Sequence, residues 1–158
     1  MIGLTFDGTI LTAATLSDGG EIFASAEQIA PDTDYRAWLL AVCAVIEQIR
    51  TPQNAGDALG VALPAIIQDD VVTYSAFSLL ANTSIRRDLQ SALGMPVSVH
   101  NIGEALATQA CRTGAATDAQ LAVAMWIGNS CHGGLALAGQ PVTGAHGATA
   151  NWPHLQLP

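Results

Sequence analysis

Residues 126–142, WIGNSCHGGLALAGQPV, place a cysteine and a histidine inside a glycine-rich turn between two apolar runs. A small-residue turn of this kind can aim backbone N–H groups at a phosphate, whereas Cys131 and His132 are residue types that bind zinc. Together with His146 and His154, they fit no compact zinc spacing. Neighbouring residues of a strand point to opposite faces, which also disfavours Cys131 and His132 as a nucleophile and base. We therefore expect a phosphate-type turn and no metal site.

The segment NIGEALATQA begins with a polar residue, and its later residues have helical spacing. Asn101 is well suited to cap the helix, because its side-chain oxygen can accept a backbone N–H of the first turn. Glu104 lies in that first turn, where a solvated carboxylate interacts favourably with the helix dipole. Asp69 and Asp70 stand side by side in a predicted exposed turn.

The composition predicts one apolar domain. Of the 158 residues, 50% are hydrophobic and 11% are charged. The longest apolar run, residues 38–46, is about half of the ~20 residues that a membrane helix needs, so we expect no membrane association. The N-terminus has neither a basic region nor a long apolar segment, and three cysteines without a secretory signal favour reduced thiols. A cytoplasmic protein is the resulting expectation.

The charge distribution excludes some partners. The formal net charge is −8, the chain has no lysine, and its five arginines form no basic stripe. Binding of nucleic acid is therefore not expected, and a Walker-type phosphate loop, which needs its lysine, is excluded. After Asp118 no charged residue occurs through Pro158. This apolar C-terminal region predicts deep burial, or cover by a partner subunit or a second copy of the chain.

These residues must be positioned by strands and helices, which follow from apolar periodicity and turn signals. Three antiparallel strands open the chain, and a helix over residues 34–50 follows. Next come a buried strand at 58–63 that Pro64 ends, a short edge strand, VVTYS, and a helix over 83–93 with Gly94 beyond its end. MPVSV is another strand. LAVAMWI has the continuous apolar character of a strand buried on both faces, and GGLALAG is its partner.

The predicted order is three strands, helix, strand, helix, strand, helix and a new hairpin. This order is that of an α/β ribonuclease H-like or actin-like lobe, predicted over residues 1–118. Residues 119–158 are expected to begin a second, incomplete lobe.

Three ordered blocks resemble the ROK family of bacterial sugar kinases and sugar-responsive repressors. LGMPVSVHNIGEALATQACRTGA matches the pattern LGxPVxVxNDANAAALAExxxGA, GNSCHGGLALAG matches GTGIGGGIVING, and GAHGATANWPH matches GAxGxAGExGH. GVALPAIIQDDVVTYS also resembles GVxxPGxVDxxxGxVxxS, and GLTFDGT is a weaker echo of GIDxGGT. The resemblance implies an actin-like sugar kinase fold, and it implies ATP and Mg²⁺ as cofactors.

The sequence departs from the family where sugar is bound and activated. The resemblance places the family's general base, an aspartate, at Ile102, and an isoleucine cannot accept a proton. The family's sugar-binding glutamate falls on Asn151, whereas His154 of the same motif is retained. By resemblance Asn101, Asn151 and His154 are the substrate-binding positions, although helix capping is the favoured role of Asn101. Glu104 stands at the second Asn of NDAN, and a displaced catalytic carboxylate is its alternative role.

The phosphate turns depart as well. Thr5 replaces an aspartate of the family's magnesium-nucleotide site, and Asp7 replaces a glycine, so that a carboxylate repels what the turn should attract. In the second turn the family's Thr, Gly, Ile and Gly are replaced by Asn129, Ser130, Cys131 and His132, and Trp126 stands where the family has a Thr. The resemblance leaves five retained positions at which nucleotide phosphates would be bound: Gly8, Thr9, Gly128, Gly133 and Gly134.

Three hypotheses follow for the function. The favoured one is a ROK-like pseudokinase of carbohydrate metabolism that does not phosphorylate sugar by itself and that binds sugar or has a regulatory role. The second is an active ATP-dependent kinase for glucose, N-acetylglucosamine or N-acetylmannosamine, completed by another chain or a longer product. The third is a non-enzymatic assembly module that forms homo-oligomers or joins a partner subunit through the apolar C-terminal region.

Overall fold

A computed structural model of the protein describes residues 1–52, 54, 57–127, 131–147 and 150. The elements up to residue 101 are, in chain order, β1 (Ile2–Phe6), β2 (Ile10–Leu16), β3 (Ile22–Ile29), α1 (Tyr35–Glu47), β4 (Leu59–Leu63), β5 (Ala65–Gln68), β6 (Val71–Ser75), α2 (Ile85–Leu93) and β7 (Val97–Asn101). They are followed by α3 (Ile102–Thr113), β8 (Leu121–Ile127), β9 (Cys131–Leu137) and β10 (Gln140–Pro141).

The main sheet has five strands in the order β3-β2-β1-β4-β7. The first three are antiparallel neighbours, and β1, β4 and β7 run parallel to one another. This is the predicted arrangement of the N-terminal lobe. It brings the C-terminal ends of β1, β4 and β7 to one edge, where ligand-binding residues of open α/β sheets collect.

The core fills one face of this sheet. Ile2, Leu4 and Phe6 alternate along β1 and are at most 1% exposed, and they belong to one cluster with buried residues of α1 and α2. Trp38 on α1 is fully buried and meets Phe6 edge-on, with ring centroids 5.8 Å apart. Burial of several large aromatic and aliphatic side chains is the main force that holds this lobe together.

The helix ends agree with the sequence signals. Asp34 caps α1 by accepting the backbone N–H of Ala37 at 2.8 Å. At the end of α2, Gly94 takes a left-handed conformation with φ of 65°. Ser84 occupies the N-cap position of α2, but its side chain forms no capping hydrogen bond.

The segment after Pro64 differs from the prediction, because a strand resumes directly after that proline. Residues of β5 pair antiparallel with β6 and form a separate two-stranded sheet. Asp69 and Asp70 make the predicted exposed turn, and both have positive φ. Asp70 also forms an ion pair with Arg86 at the start of α2, and this contact ties the hairpin to the lobe.

The third sheet has the order β10-β9-β8, and α3 packs on it. The prediction that LAVAMWI is buried on both faces was wrong. Leu121, Val123, Met125 and Ile127 are between 50% and 75% exposed, while Ala122 between them is buried against α3. Helix α3 covers one face of the sheet, and no described element covers the other. Among the described residues, no helix combines the length and the apolar character needed to span a membrane.

Candidate functional site

The predicted substrate residue Asn101 lies where β7 passes into α3. Its Oδ1 accepts the backbone N–H of Gly103 at 2.8 Å, so the side chain caps α3 as expected. Its Nδ2 donates to the carbonyl oxygen of Ala65 at 2.9 Å, which joins the start of α3 to β5. An amide has two donor hydrogens and two acceptor lone pairs, so each end of this side chain keeps capacity for one further hydrogen bond.

Ile102, at the position where the resemblance places a catalytic aspartate, is the first residue of α3. Its side chain is 7% exposed. A buried hydrocarbon there contributes to packing and can neither accept nor donate a proton.

Glu104 has a different environment from the one predicted. Its place in the first turn of α3 indicated a solvated carboxylate, but the residue is only 8% exposed. Thr143 donates a side-chain hydrogen bond to Oε1 of Glu104 at 3.3 Å. The contact spans the distance from α3 to the segment after β10, so helical periodicity along residues 101–110 could not reveal it. The solvated-carboxylate prediction for Glu104 was wrong for this reason.

A cavity of about 190 Å³ opens beside these residues. The hairpin β5–β6, the end of β7, the first turn of α3 and the segment after β10 contribute to its wall. Its lining residues are Ile67, Val99, His100, Asn101, Glu104, Thr143 and Gly147. Apolar side chains together with a few hydrogen-bonding groups give the lining that small-molecule sites commonly have.

Two glycines bring α3 against β9 at the back of this site. A Cβ added to Gly134 would overlap the carbonyl group of Gly103, and one added to Gly103 would overlap the carbonyl group of Gly133. Gly133 and Gly134 are buried in β9. The lack of side chains at Gly103 and Gly134 allows the two backbones to touch, a packing role that was not assigned to Gly103 from the sequence.

The predicted cofactor positions Gly8 and Thr9 lie in the turn between β1 and β2. Oδ1 of Asp7 accepts the backbone N–H of Thr9 at 2.8 Å and that of Ile10 at 2.7 Å. These are donors of the kind that a phosphate-binding turn would offer to its ligand. The carboxylate of Asp7 therefore already occupies the place of an anion in this turn.

A side chain from another segment covers the same turn. Gly8 has φ of 102°, and a Cβ added there would overlap the ring of Phe77. The Phe77 ring also packs against Phe6, with centroids 5.3 Å apart. The sequence analysis did not identify Phe77, because it lies in an irregular segment between β6 and α2 that carries no periodic signal.

The second glycine-rich turn is described only at its edges. Trp126 and His132 face each other across β8 and β9, and their ring centroids are 6.0 Å apart. Burial lowers the pKa of His132 below its ordinary value, so the neutral imidazole is favoured. Within the described part of the chain, no three His, Cys, Asp or Glu side chains form a group able to hold a metal ion.

Several predicted positions lie outside the described residues: Gly128, Asn129, Asn151 and His154. The described positions separate into three groups, one of which, Gly133 and Gly134, lies in β9 against α3. Asn101 and Glu104 share the cavity at the start of α3, whereas Gly8 and Thr9 lie in the turn covered by Phe77.

The whole chain was compared with sequence families. The family described as "ROK family" matches residues 1–158. The chain belongs to the ROK family. The resemblance seen in the sequence motifs is confirmed.

Similar proteins include the N-acetyl-D-glucosamine kinases from Salmonella newport and Salmonella typhimurium. Each is 28% identical to the chain over 130 residues, a match that covers 81% of the chain and 43% of the relative. The chain thus spans less than half the length of these ROK kinases.

Solved structures show the same fold. A ROK glucokinase from Streptomyces griseus, solved with glucose and AMPPNP, superposes with a TM-score of 0.89 at 20% identity, over 99% of this chain and 50% of that one. An inorganic polyphosphate/ATP-glucomannokinase from Arthrobacter sp. strain KM has a TM-score of 0.83 at 25% identity, with 92% and 61% covered. A ROK transcriptional regulator, a homolog of the E. coli MLC protein, has a TM-score of 0.79 at 21% identity, with 92% and 38% covered. The predicted actin-like, ribonuclease H-like class is confirmed.

Proposed function

We propose that this ROK protein binds a single sugar-sized ligand in the cavity at the start of α3 and does not transfer a phosphoryl group by itself. The observation that carries the proposal concerns the first turn of α3, where an apolar residue stands at the position of the family's base and polar residues beside it line the cavity. Ile102 is buried at the position of the family's base, while Asn101 and Glu104 line the cavity. The machinery for proton abstraction is lost, and polar groups able to contact hydroxyls are retained.

The size and lining of the cavity support a monosaccharide. Its volume of about 190 Å³ lies below the ~300–1,000 Å³ typical of sites for drug-sized ligands. Ile67 and Val99 can contact the C–H face of a sugar ring, while Asn101, Thr143 and Glu104 can bond its hydroxyls. The Streptomyces griseus relative, which shares the fold, was solved with glucose and AMPPNP.

The turn between β1 and β2 supports the absence of phosphoryl transfer. Its two backbone donors are bonded to Asp7, and Phe77 covers Gly8. An incoming phosphate would have to displace a carboxylate and then lie beside its negative charge. ATP and Mg²⁺ are the cofactors that the resemblance implies, but the residues of this turn do not fit the nucleotide phosphates.

A direct assay separates this proposal from that of an active kinase. The purified chain is incubated with Mg-ATP and with glucose, N-acetylglucosamine or N-acetylmannosamine, and sugar phosphate is measured. We expect no turnover above a blank without protein, together with measurable sugar binding in a separate calorimetric titration. Turnover that depends on the protein, or a complete lack of sugar binding, would contradict the proposal. An Ile102→Asp variant is expected to remain inactive, because the β1–β2 turn stays closed.

A second candidate function, assembly, is favoured by the face of β8 that none of the described residues covers. Four side chains of this strand, at every second position, are exposed, and β8 is an edge strand of its sheet. We propose a second copy of the chain as the occupant, because two identical edge strands can pair about a two-fold axis and join their apolar faces. Light scattering should then give a dimer that Val123→Lys converts to a monomer. A wild-type monomer at high concentration would overturn the assembly proposal.

A further inference from the structure

Residues 142–147 follow β10 and contribute to the wall of the cavity at the start of α3. At their first end, the backbone N–H of Val142 donates to the carbonyl oxygen of Leu135 in β9 at 2.9 Å. Near their last end, the backbone N–H of Gly147 donates to the carbonyl oxygen of Gly144 at 3.0 Å and closes a turn. We call residues 142–147 the strap, because they run from β9 to the β5–β6 hairpin.

Thr143 and Gly147 fasten the strap to two other elements. The Thr143 hydroxyl donates to Oε1 of Glu104 in α3 at 3.3 Å. Gly147 lies so close to β5 that a Cβ added to it would overlap the carbonyl oxygen of Ile67. Gly147 also has φ of 72°, a conformation that glycine adopts without the steric cost of a side chain. The contact of the strap with β5 therefore requires glycine at this position.

The same two contacts form part of the wall of the cavity. Both partners of each contact, Thr143 with Glu104 and Gly147 with Ile67, are lining residues. The position of the strap therefore sets the width of the cavity between α3 and the β5–β6 hairpin. A ligand that packs between two walls loses a quarter to a half of its dispersion attraction to one of them when the gap widens by about 0.5–1 Å.

We propose that Gly147 is a positioning residue for the sugar, because its contact with β5 holds the strap as the wall against which the sugar ring packs. The inference rests on the proposed function, since it assigns a role within the same cavity. Gly147 has no side chain to offer to a ligand, so it acts through the position of the backbone and of Thr143. Bound sugar in turn stabilises the strap in this position, because it binds the closed cavity more tightly than a widened one.

Gly147→Ala and Gly139→Ala are the matched pair that tests this role. The first places a Cβ against the Ile67 carbonyl oxygen and should reduce the affinity for glucose about tenfold in a calorimetric titration. Gly139, in the turn between β9 and β10, has a similar φ of 75°, but the nearest described atom to its added Cβ is Cβ of Cys111 at 4.0 Å. Gly139→Ala thus has the same backbone strain without the overlap, and its affinity should change less than about twofold.

The hydroxyl of Thr143 allows a second test with a conservative rescue. Thr143→Val keeps the volume of the side chain and removes the hydrogen bond to Glu104, and it should weaken glucose binding about threefold. Thr143→Ser keeps a hydroxyl and should bind glucose within about twofold of the wild type. This pair still tests the strap if Gly147→Ala folds poorly.

Hydrogen exchange of the strap amides, followed by mass spectrometry, measures the position of the strap directly. In the wild type, saturating glucose should slow exchange of residues 142–147 about threefold or more and leave the turn between β2 and β3 unchanged. Without sugar, Gly147→Ala and Thr143→Val should both exchange faster in the strap than the wild type. A Thr143 hydroxyl that only contacted the sugar would not change the exchange of the free protein.

The outcomes distinguish this inference from the proposed function. Glucose binding by Gly147→Ala as tight as that of the wild type would overturn the role of Gly147 and leave sugar binding intact. An equal loss in Gly139→Ala would assign the effect to backbone strain and would also overturn it. Glucose binding that leaves exchange of the strap unchanged would show that the sugar does not pack against it. Binding of no sugar by the wild type would remove the proposed function itself, on which the inference rests.

Discussion

The turn between β1 and β2 and the cavity at the start of α3 use similar polar groups in opposite ways. In the turn, the carboxylate of Asp7 bonds two backbone N–H groups of its own loop, and Phe77 covers the adjoining glycine. In the cavity, the carboxylate of Glu104 and the amide of Asn101 border a space of about 190 Å³. The first region satisfies its polar groups within the chain, and the second can direct them at a ligand.

In the proposed function, this difference separates a sugar-binding region from a region closed to phosphate. Phosphate binding needs backbone donors that are free when the nucleotide arrives, whereas sugar binding needs side chains beside an open volume. A chain that changes the first and keeps the second can still recognise sugar without using it as a phosphoryl acceptor. Four substitutions test parts of this comparison.

The largest effect is expected at the contact that supports the cavity. Gly134→Ala places a Cβ against the Gly103 carbonyl group, so α3 or β9 must shift. We expect a loss of about 3 kcal/mol in the free energy of unfolding, measured by urea denaturation. Gly19→Ala is the control, since its Cβ would meet only the Ser17 hydroxyl at 3.6 Å and should cost little. Equal stability of the two variants would show that the backbones do not pack so closely.

The next effect concerns the cover of the β1–β2 turn. Phe77→Ala removes a half-buried ring that packs on Phe6 and Gly8, and we expect a loss of about 2 kcal/mol in chemical denaturation. Phe23→Ala is a suitable control, because Phe23 is 72% exposed on β3 and should change the stability by less than about 0.5 kcal/mol. If Phe77→Ala were as stable as the wild type, the ring would not close the turn.

A smaller effect is expected from the carboxylate inside that turn. Asp7→Ala leaves the N–H groups of Thr9 and Ile10 without their side-chain acceptor and should cost about 1 kcal/mol. Inorganic phosphate should then raise the melting temperature of Asp7→Ala more than that of the wild type. Asp18→Ala, in the next hairpin turn, provides the control. The same response to phosphate in all three proteins would refute the claim that Asp7 occupies an anion position.

The smallest effect is a pH dependence at His132. Burial lowers the pKa of this imidazole in the folded state, so the unfolded chain binds the proton at higher pH. Its contribution makes the fold less stable as the pH falls below about 6.5, the ordinary histidine value. Between pH 7 and 5, His132→Gln should lose less stability than the wild type, by under about 1 kcal/mol. A larger loss in the variant would reverse the sign and contradict the burial argument.

Much of the fold could be predicted because its signals are local. Apolar runs that end at turn signals marked β1 and β2, and Asp34 and Gly94 marked helix ends. Pro64 was misleading, because a proline can end one strand and directly precede another when no ladder donor is needed from it.

The errors at the site have a common cause. Glu104 is buried through Thr143, which is 39 residues away in sequence, and Phe77 reaches Gly8 from a segment with no regular pattern. Such contacts depend on tertiary packing, which periodicity does not encode. The prediction that LAVAMWI is buried on both faces was wrong for a related reason. An unbroken apolar run shows that a strand can be buried on two faces, but only the neighbouring elements determine whether it is.

The central claim is that the cavity at the start of α3 is open to a sugar, whereas the turn between β1 and β2 is closed to a nucleotide phosphate. One calorimetric experiment tests it directly, in which the purified chain is titrated in parallel with glucose and with Mg-ADP. We predict saturable binding of glucose and no detectable binding of the nucleotide. Binding of Mg-ADP with no binding of any sugar would contradict the account.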